Sequence, residues 1–393
     1  MELIPLTNEV STLSHLCASL VILASATLLS PTPASERCDF PAIFNFGDSN
    51  SDTGGLAAAF TPPNLPYGRT YFHMPAGRFC DGRLIIDFVA SSFNLPFLSA
   101  YLDALGTNFT NGANYATAAA TIRLPTRIIP NGGFSPFYLD VQFEQFQQFK
   151  QRSRMIERRG GVFATLMPKE EYFSQALYTF DIGQNDLGAG FFANQSVDQV
   201  NASVPDIIDR FVINVKNIYK EGGKSFWIHN TGPIGCLPYI LTNFASAEKD
   251  TAGCAKAYNE VCQYFNFKLK EVVAELRQRF SSASFTYVDV YSVKYSLFQE
   301  PEKYGFELPL ISCCGYGGRY NFSIAECGDT TVLKNGTRIF VGSCDRPSVR
   351  VNWDGIHYTE AANKFVFDKI STGAFSSPPI PLEMACHRTF LDI

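Results

Sequence analysis

The chain has 393 residues, 46% of them hydrophobic and 18% charged, which predicts a sizeable folded core and excludes a disordered, charge-rich polymer. Its formal net charge of −5 leaves no bulk cation to neutralise phosphates, so nucleic acid is excluded as the main partner. The 35 phenylalanines suit an apolar interior or a groove for apolar groups.

Residues 16–29 are nearly all apolar or small, the length of a signal h-region and too short to span a bilayer comfortably. Pro31, Pro33 and Ala34 follow. Residues 1–34 are therefore read as a secretory signal cut near Ala34, although this start has no Lys or Arg and carries Glu2 and Glu9. Of the 11 cysteines, Cys17 leaves with the signal, and the even remainder is compatible with disulfides in an oxidising compartment. Adjacent Cys313 and Cys314 are expected to bond different partners. N-x-[ST] sequons at Asn108, Asn194, Asn201, Asn321 and Asn335 lean the same way and are candidate glycosylation sites. The expected location is the secretory pathway: the cell exterior or wall, or the Golgi lumen.

Ala42-Ile43-Phe44 reads as a short buried strand. It runs into Asn45-Phe46-Gly47-Asp48-Ser49-Asn50, where a Gly breaks the strand and a Ser stands two residues beyond. Residues 61–82, rich in Gly, Pro and Tyr, are expected to form a loop over the site. Leu84 to Val89 opens a helix ending near Pro96. Asn111 to Ala116 is a turn entering a short strand. Leu139, Phe143, Phe146 and Phe149 predict an amphipathic helix over 141–158. Residues 176–182 are a second buried strand, ending in a turn at Gly183-Gln184-Asn185-Asp186. Ile207, Phe211, Val215 and Ile218 mark a helix, Ser225 to Ile228 a third strand. Tyr258, Val261, Phe265, Leu269 and Leu276 mark a long helix, Phe285 to Val288 a fourth strand, and 359–370 a last helix. The alternation predicts one α/β domain, 35–393, with a parallel sheet and helices on both faces. The Cys-rich stretch 311–344 is expected to be an irregular excursion pinned by disulfides.

A hydroxyl lifted at the carboxyl end of a sheet strand is a candidate nucleophile. It needs a base, an orienting carboxylate and oxyanion donors. Of His73, His229, His357 and His387, only His357 has an acid three residues before it, Asp354. One tight turn would put both on one side, the carboxylate fixing the tautomer and the free nitrogen facing Ser49. Ser49 offers its own N–H to an oxyanion. Gly112 is expected to offer a second N–H because it lacks a Cβ, and Asn185 a side-chain amide. Asp48 is expected to cap the following turn, and Asp186 to hold its own loop. No HExxH, G-x-S-x-G or clustered His and Cys pattern points to a metal or to another hydrolase class.

These residues resemble the plant GDSL esterase/lipases of the SGNH hydrolase superfamily. The blocks are Gly47-Asp48-Ser49, then Gly112, then Gly183-x-Asn185-Asp186, then Asp354-x-x-His357, in that order over essentially the whole mature chain. Asn50 stands where the family has its Leu. The resemblance implies a three-layer, flavodoxin-like fold, a Ser49, Asp354 and His357 triad, an oxyanion hole from Ser49, Gly112 and Asn185, and no cofactor. The segments Gly54 to Phe60 and Ser135-Pro136-Phe137 are similar to the early-nodulin and acetylesterase subgroup, which implies short acyl esters on cell-wall polysaccharides such as xylan, or on glycosides. Alternatives are a lipase for longer chains, or a non-catalytic secreted carbohydrate-binding or defence protein.

Overall fold

Five strands run parallel: β1 (Ile43–Gly47), β2 (Gly112–Asn114), β3 (Leu177–Asp181), β4 (Ser225–His229) and β5 (Ser284–Val288). The order across the sheet is β2-β1-β3-β4-β5, extended by a two-residue strand β8 (Ser376–Ser377). β8 runs antiparallel to β5, so the expected all-parallel sheet has one reversed edge. The structure, a computed structural model, describes residues 37–131 and 133–388. The apolar run 16–29, Cys17 and the cut near Ala34 lie outside the described residues. From Cys38 onward the chain forms one compact unit.

Both faces of the sheet are covered, which is why each of the five parallel strands is buried along its length, and why β1, β3, β4 and β5 are rich in apolar side chains. Side chains alternate between the faces. Phe44 packs against Phe146, Phe149 and Phe173, and Phe180 against Phe211. On that side the helices Leu139–Arg159, Val197–Lys220 and Lys256–Arg279 lie together. Asn45 and Thr179 point to the other face, where they border a small cavity with Ile86 and Val89. There the helices Ile85–Ser92, Glu360–Ile370 and Val290–Gln299 form the third layer.

Most of the expected elements are present with shifted ends. The turn expected at Gly183 to Asp186 is instead the start of a helix, Gln184–Phe192, because Gly183 at φ 123° lets β3 pass directly into it. The cysteine-rich excursion carries a small hairpin, β6 (Thr330–Val332) and β7 (Arg338–Phe340). Disulfides Cys313–Cys344 and Cys314–Cys327 pin it, and Cys38–Cys386 and Cys236–Cys254 staple the rest. Cys80 and Cys262 are free and buried. Among the described residues, no helix is long and apolar enough to cross a membrane.

Candidate active site

Ser49 lies two residues beyond the carboxyl end of β1 and is 4% exposed. The break before it is forced by space. A Cβ on Gly47 would lie 2.4 Å from Ser51 Oγ and 2.6 Å from the Asp181 carbonyl oxygen. Gln142 clamps that glycine at both ends, accepting from its N–H (2.9 Å) and donating to its carbonyl (2.8 Å). A buried amide network fixes the turn beyond. Asn45 donates to Asn114 Oδ1 (2.7 Å) and Ser51 Oγ (3.0 Å), and accepts from Thr179 Oγ1 (2.7 Å). Asp48, expected to cap this turn, does so, accepting the Asn50 N–H at 2.9 Å.

The segment before the last helix delivers the other half of the site. Asp354 Oδ1 accepts the backbone N–H groups of Ile356 (3.0 Å) and His357 (2.9 Å), folding four residues into one turn. Gly355, at φ 96°, permits it. The His357 ring then meets Asp354 Oδ2 through Nδ1 at 2.7 Å. Tyr67, from the 61–82 loop, donates its phenol hydrogen to the same Oδ2 at 2.8 Å. Phe79 of that loop packs against the imidazole, with centroids 5.5 Å apart. Burial alone would raise the Asp354 carboxyl, but the charge and hydrogen bond of His357, helped by the two N–H groups, hold it below the ordinary carboxylate range. The arrangement keeps a charged acceptor behind Nδ1 and directs Nε2 outward.

Ser49 and His357 line the same small pocket, with Asn50, Phe79, Leu84, Tyr358 and Asn363. No direct hydrogen bond joins the two side chains.

Asn185 sits in the first turn of Gln184–Phe192, partly exposed, and donates to the Ala120 carbonyl at 2.9 Å. Gly112 is elsewhere. It pairs with Ile43 at the amino end of β1, and its N–H is bonded to the Phe109 carbonyl at 3.0 Å. The structure therefore does not bring Gly112 to Ser49, and the expected oxyanion role is corrected: a glycine at the start of a parallel strand faces the wrong end of the sheet. At the right end of β2, the run Tyr115 to Ile122 is stapled between two loops. Asp52 Oδ2 accepts the Ala118 N–H at 2.7 Å, and Asp186 accepts from Ile122 (2.7 Å) and Arg123 (3.2 Å). Asp186 thus holds this neighbouring loop rather than its own. Between the staples Ala119 is partly exposed, at φ 61°, and no described residue accepts its N–H.

Sequence reasoning missed Tyr67, Phe79 and Ala119. The first two are loop aromatics with nothing local to distinguish them. Ala119 had a signal: it lies in a small-residue run just past the carboxyl end of β2.

Of the sequons, Asn108, Asn194 and Asn335 are exposed, whereas Asn201 and Asn321 are half-buried. The Asn321 amide is already bonded to the Ser312 carbonyl at 3.0 Å.

A family model described as GDSL-like Lipase/Acylhydrolase matches residues 43–370. An esterase of Hevea brasiliensis is 68% identical over 364 residues, 92% of this chain and 93% of its own. GDSL esterase/lipase ENOD8 of Medicago truncatula is 59% identical over 374 residues, 95% and 97% of the two chains. A protein of Arabidopsis thaliana named alpha-L-fucosidase 3 is 51% identical over 380 residues, 96% and 100% of the two chains.

Proposed function

The chain belongs to the GDSL-like lipase/acylhydrolase family, and from that premise we propose that it is a secreted serine esterase of short acyl groups, acetyl first, carried by cell-wall polysaccharides or glycosides. Membership makes it a carboxylic ester hydrolase; the roles, substrate and compartment below are our reading.

Ser49 is the nucleophile, His357 the base and Asp354 its orienting partner. His357 Nε2 takes the Ser49 proton as Oγ attacks the ester carbonyl. The tetrahedral oxyanion collapses to an acyl-enzyme, and the alcohol leaves with the proton from His357. Water then gives a proton to Nε2, attacks the acyl carbonyl, and the acid departs as Ser49 regains its proton. The oxyanion is met by the Ser49 N–H, the Asn185 amide and, in place of Gly112, the Ala119 N–H.

The observation that carries the reading is the Asp354 to His357 bond at 2.7 Å, in a turn that sets the imidazole into one pocket with Ser49. The short-acyl preference rests on how little room the pocket leaves beside Ser49, between its Phe79 and Leu84 walls. Secretion is supported by four disulfides and by the apolar run within 1–34, whose removal leaves a single domain, 35–393. Exposed Asn108, Asn194 and Asn335 are the better glycan acceptors.

Turnover of acetyl against long-chain chromogenic esters tests this. Acetyl is expected to win; a preference for long chains would instead support the lipase reading.

A further inference from the structure

Beneath Ser49 lies a set of buried ionisable groups that acyl transfer does not use. Asp48, the preceding residue, is 1% exposed. Its N–H is bonded to the Asp181 carbonyl, at the end of β3, at 3.0 Å. Its Oδ1 accepts both the backbone and the side-chain N–H of Asn50, each at 2.9 Å, while Oδ2 is buried without a hydrogen-bond partner. Lys294, on the helix Val290–Gln299, is 2% exposed. Its stem passes Gly232, where an added Cβ would lie 3.0 Å from the Lys294 Cδ. Its ammonium rests 4.5 Å from the ring centroid of Tyr358, the residue after His357.

Asp181 Oδ2 faces His229 Nδ1 at 3.2 Å, and Trp227 Nε1 donates to His229 Nε2 at 3.2 Å. A nitrogen that accepts carries no proton, so His229 is neutral and donates from Nδ1 to Asp181.

The charges then do not balance if both carboxyls ionise. Asp48 and Asp181 would carry two negative charges against the single ammonium of Lys294, which burial disfavours and the two carboxylates support, among groups at most 7% exposed. One proton removes the excess. Asp181, facing the His229 N–H and Lys294, keeps its charge: burial opposes this, but the hydrogen bond from His229 and the Lys294 charge hold it below its ordinary value. Asp48 has the orphaned oxygen. Burial first, then the Asp181 charge, pushes its carboxyl up to about 7, with Asn50 and Lys294 opposing.

We propose that Asp48 is a positioning residue that works in its protonated form. With Lys294 and Asp181 it keeps the ground beneath the Ser49 N–H neutral, and its ionisation sets a negative charge close to where the oxyanion forms. The proposal rests on the reading of Ser49 as nucleophile.

The test follows two readouts against pH: kcat on p-nitrophenyl acetate, and the infrared carbonyl stretch of a protonated carboxyl, which needs no turnover and so separates failure of this proposal from failure of the esterase reading. In the wild type, kcat falls about tenfold across an alkaline limb, and a protonated-carboxyl band disappears over the same range. Asp48→Asn lacks the limb and the part of the band that titrates with it, while the band of Asp186, which burial pushes up to about 6, stays in both proteins. Lys294→Met moves both to higher pH, because the lost ammonium favoured the carboxylate. Asp181→Asn moves both to lower pH, because the lost neighbour opposed it. Opposite displacements by two neighbours are not what loss of packing produces. A band titrating with the limb that survives Asp48→Asn, no such band at all, or displacements of the same sign overturns the proposal. Should Lys294→Met fail to fold, Asp181→Asn carries the sign test alone, and Lys294→Arg, which keeps the charge, is expected to hold limb and band in place; a displaced limb would count against it.

Discussion

Tyr67 and Asp354, separated by 287 positions, are joined by a 2.8 Å hydrogen bond to the carboxylate oxygen that holds His357. Two donors on one oxygen fix the carboxylate in rotation as well as in distance. Tyr67→Phe deletes the phenol donor and little else. A hydrogen bond to a charged group contributes about 1.5–3 kcal/mol, so kcat should fall about tenfold to a hundredfold with KM nearly unchanged. Steady-state kinetics on a short-chain ester check this, and a change confined to KM would move Tyr67 into substrate binding.

Asp354→Asn replaces the acceptor behind His357 Nδ1 and is expected to lower kcat by about 10⁴. The pH argument has a definite sign. A carboxyl whose folded value lies below its unfolded one, near 3.8, stabilises the fold above that unfolded value and stops doing so as pH falls through the lower, folded one. The carboxylate behind His357 is therefore fully charged above about pH 5. Denaturant unfolding at stepped pH should show the wild type losing stability below about pH 4 and the variant losing less of it.

Asn185→Ala removes one of the oxyanion donors proposed above and should cost about 10²–10³ in kcat. The same amide also holds the Ala120 carbonyl, which lies beside Ala119. Melting temperature must be measured alongside: a large loss of kcat at a small change in melting separates the oxyanion role from loop support.

The cysteine excursion bears on the site through the backbone. Cys313 and Cys314 donate their N–H groups to the carbonyls of Asn352 (3.0 Å) and Trp353 (2.7 Å), the residues just before Asp354. Opening Cys314–Cys327, a separation of 13 residues, by a Cys314→Ser, Cys327→Ser double variant should cost about 3 kcal/mol. It should also lower kcat below the new melting point, because the catalytic turn loses its backing. Retained kcat with lowered melting would mean the bridge serves stability alone.

How much of this was legible follows from what each feature depends on. β1, β3, β4 and β5 carry apolar runs because both of their faces are buried, and a run of that kind is visible one strand at a time. Asp354 and His357 were legible because they lie three residues apart and the contact is local. Gly112 was misread because glycine's freedom was weighed without the direction of its strand; the parallel pairing of Ile43 with Gly112 puts it at the far end from Ser49. Tyr67, and the Lys294 buried near Asp48, depend on side chains brought together from hundreds of positions apart. The two-residue β8 pairs with β5 but is too short to show any periodicity.

The central claim is that Ser49 is the residue that becomes acylated. Treating the protein with a fluorophosphonate probe and mapping the adduct by peptide mass spectrometry measures this directly. The expected result is one adduct, on the Ser49 peptide, with turnover lost in proportion to labelling and absent from a folded Ser49→Ala variant. An adduct on another residue, or undiminished turnover by Ser49→Ala, would contradict it.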